Sequence, residues 1–208
     1  MIALPDRPFM TPSHYLTWEP QQPQKYEYLN RQAYAKTSGS IPHNDIAINL
    51  IALLKPHLRG SPCKINASDA KVCIDRQSAY FYPDLVVTCD PRDRTALDAL
   101  RYPCLIIEVL SPGTDSYDRG QKFRHYRRLA SLQEYVLISS DRIAIDRFCL
   151  NDRQKWELTP YEAGDLVELS SIALSLKIEQ IYENVILPDG TDYNPGIPSI
   201  ITPKSPPK

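Results

Sequence analysis

No stretch of this chain reaches the roughly 18 consecutive apolar residues that a membrane-spanning helix requires, so an integral helical membrane protein is excluded and no membrane partner is expected. The opening residues, MIALPDRPFM, lack the basic run and apolar core of a secretory signal, and the chain reads as cytoplasmic. Cysteine spacing is equally uninformative. Cys63, Cys73, Cys89, Cys104 and Cys149 are odd in number and include no CxxC pair, which argues against a disulfide framework and against a zinc site. Cys89 and Cys104 lie in or beside apolar runs, as reduced, buried thiols do. Excess positive charge is also missing: 24 Lys and Arg face 25 Asp and Glu, for a net charge of -1. Any contact with nucleic acid must therefore rest on a local patch rather than a global field. There is no internal repeat.

What is present is an ordinary globular balance. The 208 residues are 42% hydrophobic and 24% charged, enough for one core. Residues 1–187 read as a single domain with an N-terminal arm, and the Pro-dense stretch 188–208 reads as a mobile tail. Thr11 to Gln24 is an arm or short broken helix. Residues 25–36 form a hairpin turning at Asn30-Arg31. Ile46, Leu50, Leu53, Leu54 and Leu58 recur at helical spacing over 41–58, with Pro42 in the first turn and Pro56 near the end. One or two strands fall within 62–75, and 84–88 is another. The run Cys104-Leu105-Ile106-Ile107-Glu108-Val109-Leu110 is apolar except for its acid, as in a central strand covered on both faces. A helix over 117–129 and a strand over 135–139 follow. That order is a crossover unit, so the flanking strands are expected to be parallel. After Asp141, short alternating strands near 143–148, 156–158 and 166–169 suggest an antiparallel meander, and 178–185 a last short helix. The fold class is α/β, with a mixed central sheet flanked by helices.

An acid inside a central strand is the informative oddity. Burying a carboxylate costs several kcal/mol unless it is paired, hydrogen-bonded or metal-bound. Glu108 must therefore emerge at something polar. Asp84 opens the apolar strand DLVV; alone, an Asp after Pro is commonly a turn or cap residue. If the two strands are neighbours, the carboxylates converge at one sheet end. Two carboxylates with backbone oxygens and water are a ligand set for a hard cation such as Mg²⁺.

The stretch YPDLVVTCD…YPCLIIEVLSPGTDSYDRGQKFRHYRRLASLQEYVLIS resembles the Uma-type restriction-endonuclease family, a branch of the PD-(D/E)xK nuclease superfamily. The resemblance runs from about Tyr26 to Glu183. It is carried by Pro83-Asp84, the run from Glu108 to Pro112, and Asp118, Lys122 and Tyr126, with Glu27-Tyr28, Ser38-Gly39 and His43 upstream. It implies a restriction-endonuclease-like core and Mg²⁺- or Mn²⁺-dependent hydrolysis of phosphodiesters, with DNA as substrate and a homodimer as assembly. It also implies that Asp84, Glu108, the Val109 carbonyl and Glu27 hold the metal, and that Asp84, Glu108 and Lys122 are catalytic. The superfamily lysine two residues after the acid is replaced here by Leu110, so Lys122 in the next helix takes its place. Asn30-Arg31 stands where Asp-Gly is usual, and the segment Ser131 to Val136 lacks the family's glycine and tryptophan.

The helix after Pro112 carries the densest basic patch, from Arg119 to Arg128. Arg119 and Arg124 are the best phosphate contacts in it, with His43 and Tyr126 as further substrate-site residues; Arg127 and Arg128 fit a solvated face. The rival to the enzyme is a non-catalytic module that binds nucleic acid or protein on a retained nuclease fold. Leu110 and the near-neutral charge favour that rival. The retained Asp84, Glu108 and Lys122 favour the enzyme.

Overall fold

The structure is a computed structural model that describes residues 9–36, 39–74 and 79–192. Ser38 and residues 193–208, the larger part of the Pro-rich tail, lie outside the described residues. Thr11 accepts from the His14 N–H and caps the first helix, α1 (Pro12–Trp18), with Pro12 in its first turn. Two strands follow, β1 (Tyr26–Leu29) and β2 (Gln32–Ala35). They form the expected hairpin, with Tyr26 across from Ala35. Asn30 and Arg31 both have positive φ, 51° and 67°, as a two-residue hairpin turn demands. Arg31 takes the place where glycine is easier, and its guanidinium lies over the Phe9 ring at 5.4 Å.

Ser40 caps α2 (Ile41–His57) by accepting from the His43 N–H. Ile46, Leu50 and Leu54, four residues apart, form its buried stripe. Next come β3 (Lys64–Ala67), β4 (Val72–Ile74), β5 (Ala79–Phe81), β6 (Leu85–Thr88), the short α3 (Pro91–Arg94) and β7 (Pro103–Leu110). The crossover is α4 (Asp115–Tyr117), a π-helical turn over Asp118–Lys122, and α5 (Phe123–Tyr126). The chain then forms β8 (Glu134–Ser139), β9 (Ala144–Leu150), β10 (Trp156–Glu162), β11 (Leu166–Leu169), β12 (Leu174–Lys177) and α6 (Ile178–Ile181).

Among the described residues, six strands form the central sheet in the order β10-β9-β8-β7-β6-β3. β7 and β8 are parallel, as the crossover predicts, and the other neighbours are antiparallel, so the sheet is mixed. A second sheet, β2-β1-β5-β4, packs beside it. β5 escaped the sequence reading because its three residues run straight into Tyr82-Pro83 without a boundary signal. The meander reading holds for β9 and β10 and is corrected for residues 166–169, where β11 pairs instead with β12 in a separate ribbon. Alternation identifies a strand but does not choose its partner.

The two faces of β7 are covered differently. Leu105, Ile107 and Val109 join Leu85, Val87 and the α2 stripe in one core. Ile106 and Leu110 join Val86, Phe81, Phe123, Tyr126 and Tyr135 in another. Burial of each such side chain contributes roughly 1.5–3 kcal/mol before entropy is counted. A third, tyrosine-rich cluster of Tyr15, Tyr26, Tyr28 and Tyr80 fixes α1 to the outside of the second sheet.

The expectation of reduced thiols is corrected at one place: Cys63 and Cys89 form a disulfide, while Cys104 is a buried free thiol. Lys64 lies across from Thr88 on β3 and β6, so the next pair outward is Cys63 and Cys89. A separation of 26 residues carries no spacing signal for such a cross-strand pair. No helix of the described residues is long and apolar enough to cross a membrane.

At the C-terminal end, Val185 and Leu187 are buried, and a turn over 187–191 bridges Ile186 to Asp192. Residues 187–191 thus form an ordered turn at the start of the Pro-rich stretch. Truncation after Asp192 is expected to leave the thermal transition within about 0.5 kcal/mol of the full chain, the usual range for changes away from a core. A scan in which the shortened chain loses its cooperative transition would show that the final residues dock on the domain.

Candidate active site

The site begins with the period-two alternation of β7. Glu108 shares its face with Ile106 and Leu110, toward the crossover helix and the second sheet. Leu85 lies across from Ile107, so Asp84, one residue before β6, comes level with Glu108. The Asp84 Oδ2 accepts from the Val109 N–H at 2.9 Å, which seats its carboxylate against the same strand end. Leu110 fills the apolar cluster beside Phe123 and Tyr126, where a lysine would have to bury its ammonium among rings. The cation comes instead from the crossover. Lys122 Nζ lies 2.8 Å from Glu108 Oε1, 3.3 Å from Glu27 Oε1 and 3.5 Å from Asp118 Oδ1. Tyr126, one helical turn on, donates its hydroxyl to Glu108 at 3.0 Å. Glu27, Glu108, Asp118 and Lys122 are all buried.

A second cation meets Asp84. Lys36, just past β2, places Nζ 3.1 Å from Asp84 Oδ1 and donates to the Tyr82 carbonyl at 2.6 Å. His43 Nε2 lies 3.0 Å from Asp84 Oδ2. Gly39 makes room for that ring: a Cβ there would come within 2.5 Å of His43 Nδ1. Tyr82 links the acids to α1. Its N–H donates to Glu27, and its hydroxyl donates at 2.8 Å to buried Glu19, which pairs with Lys71 at 2.7 Å.

These groups line one cavity of about 1570 Å³, whose walls include Glu27, Lys36, His43, Asp84, Glu108 and Lys122. Burial pushes Glu108 up to about 8; Lys122 opposes this, and the charges of Asp84 and Asp118 add to it. Burial also works against ionisation of Asp84, but the His43 hydrogen bond, Lys36 and Lys122 hold it well below the usual carboxylate range. Lys122 is buried too, yet Glu108, Glu27, Tyr126 and Asp118 raise it well above an ordinary lysine, so it keeps its proton.

Four buried carboxylates, from Glu27, Asp84, Glu108 and Asp118, thus share the cavity with Lys36, Lys122 and His43. Acids outnumber lysines, and the acids offer oxygen donors, a set that suits Mg²⁺ or Mn²⁺. Among the described residues no three acid, histidine or cysteine side chains form a ready cation cage. Mg²⁺ does not require one, since it keeps several waters and is held by one or two carboxylates.

The sequence-predicted residues Glu27, His43, Asp84, Glu108, Val109 and Lys122 come together here. Tyr126 is fully buried and reaches the site only through Glu108. Arg119 and Arg124 are not brought to the cavity. Arg119 is tied to Asp115 and Asp146, and Arg124 is exposed. Lys36 went unrecognised. Its partner Asp84 is 48 residues away, and no local pattern marks it. Asp118 was visible as part of the family pattern, but its i,i+4 pairing with Lys122 was not anticipated.

The chain has relatives among known proteins. A Synechocystis protein, "Uncharacterized protein slr1290", is 45% identical over 188 residues, covering 89% of this chain and 99% of its own length. A second from the same organism, "Uncharacterized protein sll1609", is 30% identical over 161 residues, covering 76% and 91%. The fold matches a crystal structure described as "a putative nuclease belonging to DUF820" from Anabaena variabilis, with a TM-score of 0.70 and 18% identity over 83% of this chain and 97% of that one. The profile of the Uma2 family, described as "Putative restriction endonuclease", matches residues 12–179. Spanning most of the sequence, that match places this chain in the Uma2 family.

Proposed function

We propose that this protein is a divalent-metal-dependent endonuclease that hydrolyses phosphodiester bonds of DNA. The observation that carries the reading is the meeting of Asp84, Glu108 and Lys122 in one cavity. Asp84 and Glu108 would hold Mg²⁺ or Mn²⁺, with Glu27 and the Val109 carbonyl as further ligands. A bound ion of this kind supplies Lewis acidity and a lowered pKa for water. Lys122 contributes positive charge and hydrogen-bond donation, which favour charge developing on phosphate. Because it keeps its proton, it does not abstract one. Tyr126 and Val109 act on the acids: the Tyr126 hydroxyl orients Glu108, and the Val109 N–H orients Asp84. Exposed Arg124 would contact flanking phosphates outside the cavity.

We place the protein in the cytoplasm. We also infer a homodimer, since two-strand cleavage is simplest with two sites and soluble homo-oligomers are mostly two-fold. The test is incubation of plasmid, single-stranded DNA and RNA with Mg²⁺ or Mn²⁺, with a chelator control. Metal-dependent plasmid cleavage is the expected result. If none of the nucleic acids is cut with either ion, a non-catalytic binding module becomes the better reading. A monomeric mass by light scattering would remove the two-site arrangement.

A further inference from the structure

Lys36 has no task in that chemistry, yet it occupies a telling place. The two oxygens of Asp84 are held differently. Oδ2 takes the fixed Val109 N–H at 2.9 Å and the His43 ring at 3.0 Å. Oδ1 faces the Lys36 ammonium at 3.1 Å, and the only other contact of that ammonium among the described hydrogen bonds is the Tyr82 carbonyl at 2.6 Å. The two lysines of the site also differ in how firmly they are held. Lys122 is enclosed by three carboxylates and its side chain is 6% exposed. Lys36 has one carboxylate and is 21% exposed. A lysine is a compact charge on a flexible stem, so Lys36 can withdraw toward the cavity, whereas Lys122 cannot do so without leaving three acids unpaired.

We propose that Lys36 is a resident cation on Asp84, which a divalent ion must displace, and that it therefore sets the metal affinity of the site. The inference rests on the metal-site reading above. A buried carboxylate without a counter-charge is costly, so the metal-free protein needs a cation at Oδ1. The same lone pairs are the ones that would ligate a metal. Lys36 thus stabilises the empty site and competes with the ion twice, by occupying the oxygen and by charge repulsion. By linkage, binding of the ion weakens the Lys36–Asp84 contact by the factor by which Lys36 weakens binding. Displaced, its ammonium stays on the cavity wall, where an anionic substrate would meet it.

The test is calorimetric titration of Mn²⁺ into the wild-type protein, Lys36→Met and Lys36→Gln, without nucleic acid. Gln retains a donor for the Tyr82 carbonyl, so it decides the matter if Met compromises folding. Both variants are expected to bind about tenfold more tightly, the lower end of what close charge pairs contribute. Folded variants that bind no more tightly than a metal-binding wild type would overturn the role of Lys36 and leave the metal site standing. Absence of Mn²⁺ binding in the wild type and the Gln variant alike would overturn the metal reading and this inference together.

Discussion

Replacing Lys122 with Met should reduce metal-dependent cleavage by about 10²–10³, the usual cost of losing one preorganised electrostatic contact. Asp84→Asn and Glu108→Gln should lose both cleavage and Mn²⁺ binding, whereas Lys122→Met should still bind the ion. The structure adds a second consequence. Without the ammonium, Glu27, Glu108 and Asp118 remain buried with no cation among them, and breaking a buried pair in this way typically costs about 3–5 kcal/mol. The loss should depend on pH. Burial already raises Glu108 to about 8, above the ordinary carboxylate value. A carboxyl whose folded pKa is raised is favourable below its unfolded value and loses that stability as pH rises through the folded one. Without Lys122, which opposes that rise, Glu108 should titrate higher still, so the variant should be closest to wild type near pH 5 and fall furthest behind it above pH 8, and added Mn²⁺ should restore part of its stability at the higher pH. Thermal melts across that range provide the measurement. A uniform loss at every pH would mean that Lys122 acts through packing alone. Lys122→Arg should not rescue cleavage, because a planar guanidinium does not fit a pocket built around a point charge.

The second large effect lies away from the cavity. Glu134 opens β8 with no exposure at all, and Arg147 Nε donates to its Oε1 at 2.6 Å. The Ser170 and Ser171 N–H groups donate to the same carboxylate at 2.9 and 2.8 Å, and both serine hydroxyls add to it. This network pins the Ser170–Ile172 turn against the central sheet. Arg147→Met should leave that carboxylate without its only cation among the described residues and lower stability by about 3–5 kcal/mol. For a chain of this size that is a fall in Tm of roughly 6–20 °C. Glu134→Gln placed on Arg147→Met removes the stranded charge and should recover a good part of the loss. Cleavage per folded molecule should stay near wild type at low temperature, in contrast to Lys122→Met. If Arg147→Met melts with the wild type, the pair is a bystander and the serine donors alone satisfy Glu134.

Local pattern determined a good deal about this protein. A lone acid in an apolar run marked Glu108, because a central strand has no cheap way to bury a carboxylate. The position of Asp84 at the head of an apolar strand, with the crossover after β7, was enough to expect the two acids at one sheet end. The α2 stripe, the β1–β2 hairpin and the parallel β7–β8 pair follow from periods and turn chemistry, which depend on residues close in sequence. Lys122 was identified through the family pattern, since nothing about a lysine in a basic helix says which way it points. Tertiary structure decided the rest. It turned Lys122 inward and Arg124 outward on the same crossover, and it brought Lys36 to Asp84 across 48 residues. It also set Cys63 beside Cys89 through the β3–β6 register and sent β11 to β12 instead of the central sheet. The reason is common to all of these. Alternation fixes which face a side chain takes, but its partner depends on how separate elements register and pack, and that is settled by burial over the whole core.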